Sequence, residues 1–292
     1  MDALSCALLP ASCSLCGSLL PQLFPVPICE ACWMEFPVQS GLLCARCGDT
    51  VDSAQLDLGP ASAALCRTCR LAPPPFVRAV AFGPYQGRLR EAIHALKYDR
   101  LHPAAQVLGR MLAEAIAQLA AEAPIEMLVV PIPLHRTKYS QRGFNQARSL
   151  AAEALKTLSK RHPQWRLTLA SSTLMRLRAT ESQAGLTPHM RRMNVRGAFS
   201  VSDPSAVTSK HVLLIDDILT TGATARAAAQ VLRKAGAASV WVATLARARR
   251  VHSTGRGVSF EDADDIQQIP GNAPAAFPEQ ASGFSSHDQP SF

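Results

Sequence analysis

The chain has 292 residues, of which 48% are apolar and 18% charged, with a net charge of +8. That apolar content excludes a disordered polyelectrolyte, and no apolar run reaches the roughly 18 residues that a membrane span requires. The apolar first 27 residues start with Asp2, lack an early Lys or Arg and are interrupted by proline and cysteine, so no signal peptide is expected and the protein is expected to be cytoplasmic.

In chain order, the cysteines come first. All nine precede residue 70, and eight form C-x-x-C pairs: Cys13/Cys16, Cys29/Cys32, Cys44/Cys47 and Cys66/Cys69. Two thiolates two residues apart on a tight knuckle share one metal, and two knuckles complete a tetrahedral site. Residues 1–72 therefore read as a double zinc ribbon with two structural Zn²⁺ ions. Sequential and interleaved pairings of the four knuckles both remain open. Cys6 has no partner in this pattern and reads as a small apolar residue. So short and Pro-rich a module lacks a self-sufficient core, so metal binding should drive its folding, by on the order of 10 kcal/mol per site.

Pro73, Pro74 and Pro75 make a stiff boundary. Residues 76–250 then alternate short apolar strands with helices: a strand over 76–82, helices over 86–98 and 103–121, a strand over 127–130 and a helix over 145–159. Further strands are expected over 167–169, 212–215 and 239–245, and a helix over 225–235. This alternation predicts an α/β domain with a parallel sheet and a site at the strand carboxyl ends. Two basic loops flank that site. One, over 131–146, carries Arg136, Lys138 and Arg142; the other, over 176–199, carries Arg176, Arg178, Arg191 and Arg192 and is expected to act as a mobile lid. From 131 to 200 thirteen Lys/Arg face only Glu153 and Glu181, which suits a polyanionic ligand. Residues 251–292 are polar, acidic and without periodicity, and are expected to be a disordered tail.

The most specific stretch is Val212-Leu213-Leu214-Ile215-Asp216-Asp217-Ile218-Leu219-Thr220-Thr221-Gly222-Ala223-Thr224. A strand buried on both faces ends in two carboxylates, and a turn rich in hydroxyls leads into an Ala-rich helix. The helix start attracts an anion through free N–H groups and the aligned peptide dipoles. Carboxylates beside it repel that anion and suit sugar hydroxyls or Mg²⁺ instead. Together they call for a sugar phosphate.

This segment resembles the phosphoribosyl-diphosphate (PRPP) signature of type I phosphoribosyltransferases. The resemblance implies that Asp216 and Asp217 contact the ribose hydroxyls and that Thr220, Thr221, Gly222, Ala223 and Thr224 wrap the 5′-phosphate. Arg136, Lys138 and Arg142 would then surround the diphosphate. The order of the four C-x-x-C pairs, Lys97-Tyr98, Pro131-Ile132-Pro133, Arg142-Gly143-Phe144-Asn145-Gln146, Thr180, Gln183, Leu186, Arg191, Asn194-Val195-Arg196-Gly197-Ala198-Phe199 and the PRPP signature is similar to that of the ComF family of competence proteins. That resemblance implies a zinc ribbon fused to a phosphoribosyltransferase-like domain, with PRPP and Mg²⁺ as ligands and a part in DNA uptake during natural transformation beside other competence proteins. Asn145 and Gln146 would anchor a helix start. Two functions stay open: phosphoribosyl transfer to an unnamed acceptor, or a non-catalytic PRPP- or nucleotide-sensing module that binds single-stranded DNA.

Overall fold

The strand-forming runs assemble into one sheet, as described by a computed structural model covering residues 12–13, 16–21, 28–51, 64–98, 104–179, 188–248, 250–252 and 258–260. Five strands lie in the order β1 (Ala79–Pro84), β7 (Ser239–Arg247), β6 (His211–Leu219), β2 (Glu126–Pro131), β3 (Arg166–Leu169). All four pairings are parallel. The chain leaves β2 outward to β3, then returns to the other side of β2 as β6 and moves away through β7. The order thus reverses between β2 and β6, and a crevice opens beyond the carboxyl ends of strands at such a point.

Side-chain alternation divides the core. Leu213 and Ile215 of β6 face one layer with Leu89, Ile93, Leu108 and Leu150; Val212 and Leu214 face a second layer with Ala228, Ala229 and Leu232. The first layer is supplied by α3 (Gly87–Tyr98), α4 (Ala104–Ala117) and α6 (Gln146–Arg161), and the second by α8 (Ala223–Lys234). Both faces of the sheet are covered, which is why β6 reads as an unbroken apolar run. An antiparallel pair, β4 (Leu174–Arg176) with β5 (Phe199–Val201), closes the second layer beside Val130 and Leu219.

Edge strand β1 pairs only with β7, and the cysteine-bearing segment shields its outer side. Gln39 N donates to Phe82 O (2.9 Å), and Ala79 N donates to Arg46 O (2.8 Å). Covering an edge in this way removes a template for unwanted strand pairing. The approach is close: a Cβ on Gly83 would lie 1.9 Å from Pro37 O, so only glycine fits there. Cys13, Leu20, Ile28, Cys32 and Phe36 join the same apolar cluster as Val80 and Phe82. Two short helices, α1 (Glu30–Met34) and α2 (Arg67–Leu71), start at the first cysteine of the second and fourth knuckles and carry the second, Cys32 and Cys69.

Several elements differ from expectation. The 131–146 loop contains a helix, α5 (Arg136–Arg142), which His135 caps by accepting from Thr137 N and which Gly143 ends in the left-handed region. Strand β6 does not stop before the aspartates but pairs with β7 as far as Leu219 opposite Arg247. The 176–199 loop contains α7 (Pro188–Val195) besides the ends of β4 and β5. Thr180, Gln183 and Leu186, like Cys6, lie outside the described residues. So does the tail expected to be disordered, apart from β8 (Arg250–His252) paired with β9 (Val258–Phe260).

Candidate functional site

Each cysteine quartet forms from consecutive knuckles: Cys13, Cys16, Cys29 and Cys32 in one cluster, Cys44, Cys47, Cys66 and Cys69 in the other. Within each, all thiols lie within 4.8 Å of one another. Contacts across the knuckles measure 3.9 Å (Cys13 to Cys32), 3.7 Å (Cys16 to Cys29) and 3.7 Å (Cys47 to Cys66). Four sulfurs tetrahedrally placed about 2.3 Å from zinc stand about 3.8 Å apart, whereas a disulfide requires about 2.05 Å. The spacing suits a metal and not a disulfide, and the pairing is sequential. The Ser18 hydroxyl, 3.2 Å from Cys16 Sγ, helps hold that thiol down to about 6, toward the thiolate that a metal takes.

The crevice between β2 and β6 gathers the other candidates. Because side chains alternate along β6, Asp216 and Asp217 point to opposite faces of the sheet. Asp217 is 6% exposed. Its Oδ2 lies 3.2 Å from Lys97 Nζ and accepts from Gln146 Nε2 at 3.1 Å. Burial alone would raise its pKa, but the Lys97 ammonium, the Gln146 amide and the field of Arg142 bring it below the ordinary 3.8. Asp216 is half-buried and points toward the β4–β5 side. Burial and the adjacent Asp217 charge push its carboxyl up to about 7. Arg176 answers it from β4, with its guanidinium 5.4 Å over the Phe199 ring.

The turn that follows is open to solvent at Thr220, Thr221, Gly222 and Thr224, while Ala223 is buried. Gly222, with φ +76, is the N-cap of α8 and has no side chain to cap it. Thr221 Oγ1 accepts from Ala223 N at 3.1 Å, bending the turn back on itself. The first N–H groups of α8 lack intrahelical acceptors by geometry, so the turn presents donors to an anion.

Helix α5 sorts the three cations of the first basic loop. Lys138 and Arg142 are four residues apart and share one face, whereas Arg136 lies about 200° around the axis from Lys138. Asn145 does anchor the start of α6: its Oδ1 accepts from Arg148 N (3.2 Å), and its Nδ2 donates to Ile132 O (3.0 Å). Gln146, expected to share that task, reaches Asp217 instead. Lys97 and Arg176 had no assigned role at the acidic pair. The available signal was Lys97 four residues after Ile93, on the apolar face of α3.

Residues 142–269 match the phosphoribosyl transferase domain family. The chain is 31% identical to DNA utilization protein YhgH of Escherichia coli (strain K12), over 82% of its own length and 97% of that protein. It is 26% identical to competence protein F of Haemophilus influenzae, over 76% of its length and 90% of that protein. Among solved structures, that of an allosteric regulatory enzyme of purine biosynthesis aligns with 23% identity and a TM-score of 0.30, covering 49% of this chain. The chain spans about a quarter of that enzyme, 26%. Among the described residues no helix is long and apolar enough to cross a membrane.

Proposed function

The chain belongs to the ComF family, and on that premise we propose that it binds PRPP with Mg²⁺ at the carboxyl ends of β2 and β6 and serves the handling of DNA taken up by the cell. One observation carries this proposal: the acidic strand end at Asp216, partly buried, stands beside the glycine-capped start of α8 at the point where the strand order reverses. Asp216 takes a ribose hydroxyl. Asp217, on the opposite face of β6 and held by Lys97 and Gln146 through Oδ2, steadies the strand end that carries Asp216. Thr220 to Thr224 hold the 5′-phosphate, and Lys138 and Arg142 face the diphosphate, with Arg136 at the periphery.

Phosphoribosyl transfer would break the bond from C1 of the ribose to the diphosphate oxygen, which leaves with the electron pair as an acceptor adds to C1. The positive charge that builds on the ring favours carboxylates close by, and the leaving group favours fixed cations. Mg²⁺, whose preference is for carboxylate and phosphate oxygens, suits this donor set and adds charge neutralisation at the diphosphate. No side chain acts as nucleophile. Each cysteine cluster holds one structural Zn²⁺ ion and shapes the cover over β1.

The concentration of Lys and Arg between 131 and 200 favours a second reading in which the domain senses PRPP and grips single-stranded DNA through its phosphates. Two assays on the full chain separate them: diphosphate release from PRPP with candidate bases, and single-stranded DNA binding over a salt series. Turnover without DNA affinity removes the sensing module. Steep salt-dependent DNA binding without turnover removes the transferase.

A further inference from the structure

Arg247 ends β7 on the buried face, 2% exposed. One guanidinium nitrogen, Nη1, donates to Leu219 O at 2.7 Å, to Thr220 O, and to Ala248 O at 2.9 Å. The other, Nη2, pairs with Asp49 Oδ2 at 3.0 Å, and Asp49 is 5% exposed. Asp49 closes the first knuckle of the second cysteine cluster, Cys44/Cys47: its carbonyl accepts from Cys44 N (2.7 Å), and Gly48 N donates to Cys44 O (2.9 Å). A continuous polar path therefore runs from a four-cysteine cluster to the turn proposed to bind phosphate.

We propose that Arg247 is a positioning residue through which the Cys44, Cys47, Cys66 and Cys69 cluster holds the 220–224 turn in its anion-binding shape. The proposal rests on the phosphate role given above to that turn. In a trans peptide the C=O and N–H point in opposite directions, and among the described residues no peptide is cis. Fixing the carbonyls of Leu219 and Thr220 on the guanidinium turns the N–H groups of Thr220 and Thr221 away from it. Those are the first donors an incoming phosphate meets. A buried guanidinium stays in place only while a counter-ion faces it, and Asp49 is that counter-ion. Four thiols sharing a metal keep the 44–49 knuckle closed and so keep Asp49 facing Arg247. When the cluster is empty, the knuckle opens, Asp49 withdraws, and Arg247 releases both carbonyls toward water.

Hydrogen exchange on the ligand-free full chain tests this, with zinc content measured on the same samples. Asp49→Asn removes the counter-ion charge, Arg247→Lys keeps the charge but cannot span three carbonyls, and Cys66→Ser breaks the cluster. In all three, the amides of Ala223 and Ala248, which donate to Thr221 Oγ1 and to Leu219 O, should exchange about tenfold faster while amides 228–232 of α8 stay protected. Asp49→Asn and Arg247→Lys should keep two zinc ions, and Cys66→Ser only one. Unchanged exchange at Ala223 and Ala248 in Asp49→Asn and Arg247→Lys overturns the proposal. Equal acceleration at 228–232 overturns it too, because that is general loosening. A calorimetric PRPP titration separates the two levels: no binding by the parent chain refutes the PRPP assignment, while the exchange result decides the coupling.

Discussion

Replacing Asp217 with asparagine leaves a shape nearly unchanged and removes one charge from a buried pair. Lys97 and Asp217 side chains are 11% and 8% exposed and 3.2 Å apart. At that separation and an effective dielectric of about 20, the attraction is roughly 5 kcal/mol, most of it offset by the desolvation of both ions. Losing one partner removes the attraction but not the desolvation of the ammonium left behind, which costs about 3–5 kcal/mol. The amide oxygen still accepts from Gln146, so about 3 kcal/mol is expected. For a chain of this size that lowers Tm by about 6–12 °C. Lys97→Met should cost a similar amount, and Lys97→Met combined with Asp217→Asn should cost no more than either single, giving a coupling of about 3 kcal/mol. Because the pKa of Asp217 is depressed in the fold, its contribution is present above the ordinary 3.8 and fades as pH falls through the lower folded value. The deficit in Asp217→Asn should therefore persist at pH 7 and shrink below about pH 4. Thermal melts across pH measure it; a single variant within about 1 °C of the parent, or a double variant whose loss is the sum of the two singles, contradicts this.

Asp216 should behave in the opposite sense. With its folded pKa pushed up to about 7, its contribution to stability is full below the ordinary 3.8 and lost as pH rises through 7. Asp216→Asn should thus raise Tm at pH 8 and make no difference at pH 3.5; a Tm equal to the parent's at pH 8 contradicts this. PRPP binding in the parent should release protons near pH 7 and tighten as pH rises, as buffers of different ionisation enthalpy would reveal. Gly83→Ala places a methyl on Pro37 O, so the 37–48 segment should lift from β1 at a cost of about 1–3 kcal/mol, seen as faster proteolysis there with zinc retained. Metal analysis should find two zinc ions per chain, and chelation should expose all eight clustered thiols to a thiol reagent; thiols already reactive before chelation would contradict it.

The central strand, the turn and the cysteine knuckles were legible because each is local. A four-residue apolar run, an acidic pair and a glycine at a helix start constrain one another within thirteen positions, and a C-x-x-C knuckle needs only its own loop. The partners of the acidic pair were not legible as partners, because Lys97 and Gln146 come from other helices and meet Asp217 only once α3 and α6 pack on one face of the sheet. Alternation along β7 puts Arg247 in register with Trp241, Ala243 and Leu245, but both faces of that strand are buried, so the pattern marks no polar partner. What the alternation did not reveal is its counter-ion, Asp49, nearly 200 positions away. Helix α5 was hidden because its residues are all polar or small-faced and none is buried, so no apolar period marks it. The seam between the cysteine segment and β1 was also unreadable, since prolines at 73–75 suggest a spacer and not a strand edge about to be covered.

A calorimetric titration of the full chain with PRPP in the presence of Mg²⁺, repeated on Asp216→Asn, tests the central claim most directly. The parent should bind one PRPP per chain, and the variant should bind it at least tenfold more weakly, about 1.4 kcal/mol or more, with an unchanged zinc content. Equal PRPP affinity in both proteins would contradict it.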